Sequence, residues 1–172
     1  MIISLTGFMG CGKSSVGREL SKLLCCRFMD LDEVIETQEG RKITEIFETE
    51  GEEGFRKIEA RTLECIIRKP GMSSPSSVLA LGGGAVMRKE CEEMVHKDTT
   101  CVYLRASVDQ LLKNLEGESE HRPMLASGDL RGRIEELMAL RSGTYERTAH
   151  IIIDTDAKEI GQIAGEIVSA LG

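Results

Sequence analysis

The sequence predicts an α/β protein in three layers, with a five-stranded parallel sheet sandwiched between helices. Three observations support this. Five short apolar runs recur along the chain, segments with helical periodicity separate them, and unusual glycine-rich or acidic stretches close the first three runs at their carboxyl ends. The run IISLT (2–6) passes through GFMGCGKSS (7–15) into a segment where Val16, Leu20, Leu23 and Leu24 recur at helical spacing. That is strand, glycine-rich turn, helix. CRFMD (26–30) reads as the second strand, and the Glu-rich stretch from Glu33 to Arg68 reads as helices broken near Gly40 and Gly51. SVLAL (77–81), TCVYL (100–104) and HIIID (150–154) supply three further strands, with helical patterns between and after them. KPGMSSPSS (69–77) reads as a passive connection, and GESEHRPMLASGD (117–129) as a polar loop.

With 172 residues the chain suits a single domain, 1–172, with a sizeable core. It carries 22 basic against 29 acidic side chains, a net charge of −7, no Trp, two Tyr and four Phe. That balance opposes nucleic-acid binding, which needs a basic footprint and stacking surface. No 18-residue apolar run is present and the N-terminus lacks a signal peptide's basic region, so a soluble, cytoplasmic protein with no membrane partner is expected. The six cysteines show no CxxC spacing and read mostly as buried thiols.

In a parallel sheet, ligands bind beyond the carboxyl ends of the strands. GFMGCGKS matches the phosphate-binding pattern GxxxxGK[ST] in full, between a strand and a helix as that motif requires. Gly7, Gly10 and Gly12 let backbone N–H groups turn inward, the loop from Gly10 through Cys11 to Ser15 wraps the triphosphate of ATP, Lys13 reaches the β- and γ-phosphates, and Ser14 is a ligand for Mg²⁺. Cys11, in that loop at a helix N-terminus, is either a reactive thiol or an inert one turned into the sheet.

The second strand ends in DLD, and extended geometry points Asp30 and Asp32 to one side. Asp30, nearer the loop, suits a partner of Mg²⁺ through water, while Asp32 suits acceptance of a proton from an attacking hydroxyl. A helix N-cap is the competing reading, since Glu33 and Glu36 follow. Gly82, Gly83 and Gly84 end the third strand and leave only backbone for a small substrate to touch. Arg56 and Glu59 lie one helical turn apart, where a surface ion pair is the plainer reading of that segment alone. Arg122, before a proline in the 117–129 loop, suits either a lid that closes on phosphate or an ordinary solvated arginine. In RIEELMALRSGTYERTA, Ile134, Met138 and Tyr145 define one face, and Arg141 on that face implies a carboxylate or phosphate partner. Together these residues describe an ATP-dependent kinase of a small hydroxy acid.

The ordered set GFMGCGKS, DLDE, GEEGFRKIE, LGGGA, HRPML and LRSGTYER resembles the shikimate kinase family over nearly the whole chain. The resemblance implies a nucleoside-monophosphate-kinase-like sheet and transfer of the ATP γ-phosphate to the 3-hydroxyl of shikimate, with Mg²⁺, in aromatic amino-acid biosynthesis. It also implies a monomer with substrate-binding helices at about 31–68 and a lid at about 115–128. By position, Asp32 would bind the shikimate hydroxyls, Arg56 and Arg141 would hold chiefly its carboxylate, and the backbone of Gly82 to Gly84 would also hold it. Glu59 would orient Arg56, and Lys13 and Arg122 would hold the phosphates. On the adenine side the chain offers Lys113 where many members carry an arginine, and a loop at Asp154 to Lys158 without the usual proline. The rivals are another small-metabolite or nucleotide kinase of the same fold, or a nucleotide-binding regulator without turnover.

Overall fold

The computed structural model describes residues 1–69, 76–116 and 129–172. Most of the 69–77 connection and the lid with Arg122 therefore lie outside the described residues. The apolar runs form β1 (Ile2–Thr6), β2 (Arg27–Asp30), β3 (Ser77–Ala80), β4 (Thr100–Arg105) and β5 (Ile151–Asp154). They pair in the order β2-β3-β1-β4-β5, and every pairing is parallel. Every side chain of β1 and β3 is buried, so helices must cover both faces of the sheet, the three-layer arrangement that the chain predicts.

The helices are α1 (Lys13–Leu23), α2 (Leu31–Glu39), α3 (Ile43–Arg68), α4 (Lys89–Asp98), α5 (Val108–Leu115), α6 (Leu130–Thr148) and α7 (Ile160–Leu171). Helix α1 packs on α7 and against β1, β2 and β3, while α4 and α6 pack on each other and on β4. Among the described residues, no helix is long and apolar enough to cross a membrane.

Both predicted breaks occur where glycine leaves the right-handed region. Gly40 ends α2 at φ 67°, and Gly51 interrupts α3 at φ 72°, ψ −179°, a conformation open almost only to glycine. The bend at Gly51 separates the first turns of α3 from the stretch carrying Phe55, Arg56 and Glu59.

The C-terminal end of α6 is held by a stacked pair of imidazoles, His96 on α4 and His150 before β5, with centroids 4.5 Å apart. His96 Nδ1 donates to the Thr148 carbonyl at 3.0 Å, and the Cys101 backbone N–H donates to His150 Nδ1 at 3.0 Å. Desolvation, and then the neighbouring His96, hold the His150 pKa below its ordinary value.

Two predictions follow from these joints. A Cβ at Gly51 meets nothing within 4 Å, so Gly51→Ala loses stability through backbone strain alone, about 1–3 kcal/mol by urea unfolding. Because the folded-state pKa of His150 lies below the unfolded one, its contribution is present above the unfolded value and is lost as pH falls through the folded value. The wild-type thermal midpoint should therefore fall more between about pH 7 and about pH 5 than that of His150→Asn, whose amide oxygen still accepts from Cys101 without titrating.

Candidate active site

Strands β1 and β3 are neighbours, and their following connections leave in opposite directions, which opens a crevice at their carboxyl ends. The 7–12 loop after β1 and the Gly82 to Gly84 segment after β3 face each other there. Gly10 and Gly12 adopt φ 82° and 94°, which turns the loop's backbone around the start of α1. That start has no side-chain cap and no acidic residue in its first turn, unlike α2, α5 and α6, which Asp30, Ser107 and Asp129 cap. Its N–H groups and dipole are thus available to an anion. Lys13, 9% exposed, donates to the carbonyls of Gly7 at 2.8 Å and Phe8 at 3.0 Å. Cys11 is turned inward and buried, in keeping with the inert reading. A cavity of about 380 Å³ is lined by Gly10, Gly12, Lys13, Ser14, Ser15, Asp30 and Asp32, among others.

Asp30 takes the N-cap position of the competing reading, and it also meets the phosphate-binding loop. Its Oδ1 accepts from the backbone N–H of Asp32 at 2.9 Å and caps α2, while its Oδ2 accepts from the Ser14 hydroxyl. Asp32 is not on the strand. The helix begins at Leu31, because Asp30 captures the N–H groups of the next turn, and Asp32 reaches the crevice from the first turn of α2 instead.

The adjoining cavity, about 440 Å³, is lined by Asp32, Arg56, Glu59, Gly82, Gly83, Gly84 and Arg141, so the predicted acceptor residues converge. Arg56 and Glu59 are not a surface pair. Arg56 Nη1 lies 2.6 Å from Glu59 Oε1, with the two side chains 12% and 3% exposed, and the guanidinium also sits over the Phe55 ring. Burial pushes the Glu59 carboxyl up, while Arg56, and then Arg141 and Arg88, pull it back down.

The three glycines are required by space rather than by φ. A Cβ at Gly84 would lie under 3 Å from three guanidinium atoms of Arg56, one at Gly82 would lie 2.9 Å from Glu59 Oε2 and 3.2 Å from Asp32 Oδ1, and one at Gly83 would lie 3.2 Å from the Met9 backbone nitrogen. At Gly82 and Gly84 close approach is thus needed first by the protein's own charged side chains, and at Gly83 by the backbone of the phosphate-binding loop.

Arg141 is 5% exposed, and its Nη1 is buried with no hydrogen-bond partner among the described residues. A buried cationic donor left unmatched is costly, about 1–3 kcal/mol, unless a ligand meets it. The buried stripe of α6 runs Ile134, Leu137, Arg141, Tyr145 and Thr148, so Leu137 takes the place expected for Met138, which is only half-buried.

Several lining residues were not anticipated. Met9 and Glu36 line both cavities, and Ile43, Thr44 and Phe55 line the acceptor side. Phe55 stood beside Arg56 in GFRKIE and could have been read with it, whereas nothing near Ile43 and Thr44 marked them. Asn114 lines the phosphate side and donates to the Gly10 carbonyl at 2.9 Å. Lys113 and residues 154–158 line neither cavity, and Asp154 is held by Arg105 at 2.6 and 3.0 Å.

A phosphate-binding loop that shares a wall with a pocket of buried arginines and a carboxylate defines a P-loop phosphotransferase of a small anionic acceptor. The comparisons with known proteins narrow the class. The family model described as shikimate kinase matches residues 9–172, and the chain belongs to that family. It is 40% identical over 169 residues to a shikimate kinase of Marinomonas sp. (strain MWYL1), covering 98% of this chain and 91% of that one. It is 38% identical to one from Dictyoglomus turgidum, covering 98% and 96%. The solved structure of shikimate kinase from Acinetobacter baumannii in complex with shikimate superposes with a TM-score of 0.92 at 33% identity, covering 99% and 92%.

The crowding at Gly84 yields a test of the acceptor wall. Gly84→Ala must push the Arg56 guanidinium off Glu59, and is expected to lower kcat/KM for the acceptor by about ten- to a hundredfold while leaving the KM for ATP unchanged. An equal rise in both KM values would show that the wall is not specific to the acceptor.

Proposed function

We propose that the chain transfers the γ-phosphate of ATP to the 3-hydroxyl of shikimate, giving shikimate 3-phosphate and ADP. The observation that carries this reading is the unmatched Nη1 of Arg141, buried above Gly83 in the cavity that Asp32 joins to the phosphate-binding loop. A carboxylate is the ligand that suits it, because a guanidinium pairs with one bidentately. Arg56, held by Glu59, supplies the second cation for the same carboxylate.

With the carboxylate at the arginines, the ring hydroxyls face Asp32, on the wall common to both cavities. Asp32 takes the proton of the attacking hydroxyl as that oxygen bonds to the γ-phosphorus and the bond to the ADP oxygen breaks. Lys13 exchanges its carbonyl partners at Gly7 and Phe8 for the phosphate oxygens and spreads the developing charge. Arg122, from the lid at about 115–128, closes over the phosphates in this reading.

Ser14 and Asp30 present two hard oxygen donors side by side on the phosphate wall, a set that fits Mg²⁺. Among the described residues no cluster of three or more His, Cys, Asp or Glu side chains makes a cage, which suits an ion carried in mainly by the nucleotide. Such an ion neutralises charge on the β- and γ-phosphates. The reading includes one catalytic domain over 1–172, with helices 31–68 on the substrate side, working as a cytoplasmic monomer without nucleic-acid or membrane partners.

The decisive experiment is ADP release from Mg·ATP with shikimate, quinate, gluconate or nucleoside monophosphates. Stimulation by shikimate alone is expected, and stimulation only by another acceptor would overturn the substrate assignment. Arg141→Ala should raise the KM for shikimate by one to two orders of magnitude, on the order of 1.5–3 kcal/mol, whereas Lys13→Met should abolish turnover with shikimate binding retained.

A further inference from the structure

We infer that Tyr145 is a positioning residue for the acceptor, because its phenol fixes the Gly83 peptide that lies between Arg141 and the phosphate-binding loop. The inference rests on the proposed function and assigns a role to a residue that touches neither reacting group.

Tyr145 is fully buried on α6, and its ring packs on Tyr103 of β4 with centroids 5.2 Å apart. A buried phenol must find an acceptor. That of Tyr145 donates to the Gly83 carbonyl. Gly83 is where the two cavities meet, since it lines both. The place of its absent Cβ lies 3.2 Å from the Met9 backbone nitrogen and 3.5 Å from Arg141 Nη1. The peptide is therefore wedged between the loop that holds the donor and the guanidinium that meets the acceptor.

Arg141 and Tyr145 stand four residues apart, one turn of the same helix. The helix that offers the anion-binding group thus also braces the backbone opposite it, and the gap between guanidinium and shelf is set by one rigid element. Without the phenol hydroxyl, Gly83 moves relative to Arg141 while α6 and its packing stay in place.

The test is Tyr145→Phe, which keeps the ring and removes only the hydroxyl, with Tyr103→Phe as a control in the neighbouring buried ring. The KM for shikimate is expected to rise about five- to tenfold, with kcat at saturating shikimate and the KM for ATP each within about twofold of wild type. Tyr103→Phe should leave the KM for shikimate unchanged. An unaltered KM for shikimate in Tyr145→Phe would overturn the inference. So would parallel rises in both KM values with a lower thermal midpoint, loss of soluble protein, or the same effect in Tyr103→Phe, each of which assigns the hydroxyl to stability. Failure of the functional reading is distinct, since wild type itself would then show no stimulation by shikimate.

Discussion

The parallel pairing of β1 with β3 is the constraint on which the rest of the site depends. Its register sets Leu5 beside Ala80, and the Leu81 N–H continues the ladder to the Leu5 carbonyl at 3.0 Å. The residues that follow on each strand, the phosphate-binding loop and the three glycines, are thereby held face to face. The connection from β1 passes over β3 through α1 to reach β2, and that from β3 passes over β1 through α4 to reach β4, so the two leave on opposite faces of the sheet and the crevice between them stays open. A one-residue slip would turn the strands' side chains to the opposite faces and move Gly82 out of reach of Asp32 and Glu59.

Charge is then placed where water is excluded. Arg56, Glu59 and Arg141 are all buried or nearly so, and burying an ion is costly without a partner. The Arg56–Glu59 pair meets that requirement internally. The Nη1 of Arg141 does not, and the fold keeps a cationic donor unmatched in a cavity beside a phosphate site. Stability is given up there in exchange for a site already organised for an anion, which a net charge of −7 over the whole chain would otherwise disfavour.

The glycines of this protein serve two different ends. Gly10, Gly12, Gly40 and Gly51 adopt positive φ and shape turns and a helix bend, whereas Gly82 to Gly84 do not and instead make room. Read along the chain, both look like flexible turns. Only the neighbours across the crevice, the guanidinium of Arg56 and the carboxylates of Glu59 and Asp32, tell them apart.

The sequence by itself determined the five strands, the phosphate-binding loop and the breaks at Gly40 and Gly51, because these rest on local periodicity, turn chemistry and short motifs. It left undecided whether Asp30 caps a helix or turns toward the phosphate-binding loop, and in the folded chain one oxygen caps α2 while the other accepts from the Ser14 hydroxyl. It read Asp32 as a strand residue, although the cap at Asp30 starts the helix one residue earlier, and it placed Met138 on a stripe that belongs to Leu137. The burial of Arg56 with Glu59, the unmatched guanidinium of Arg141, and the convergence of Glu36, Asn114 and Tyr145 on the crevice were decided only by tertiary structure. Exposure and partnership depend on which surfaces meet across long stretches of chain, 62 residues for Tyr145 with Gly83 and 104 for Asn114 with Gly10, and no local pattern encodes that.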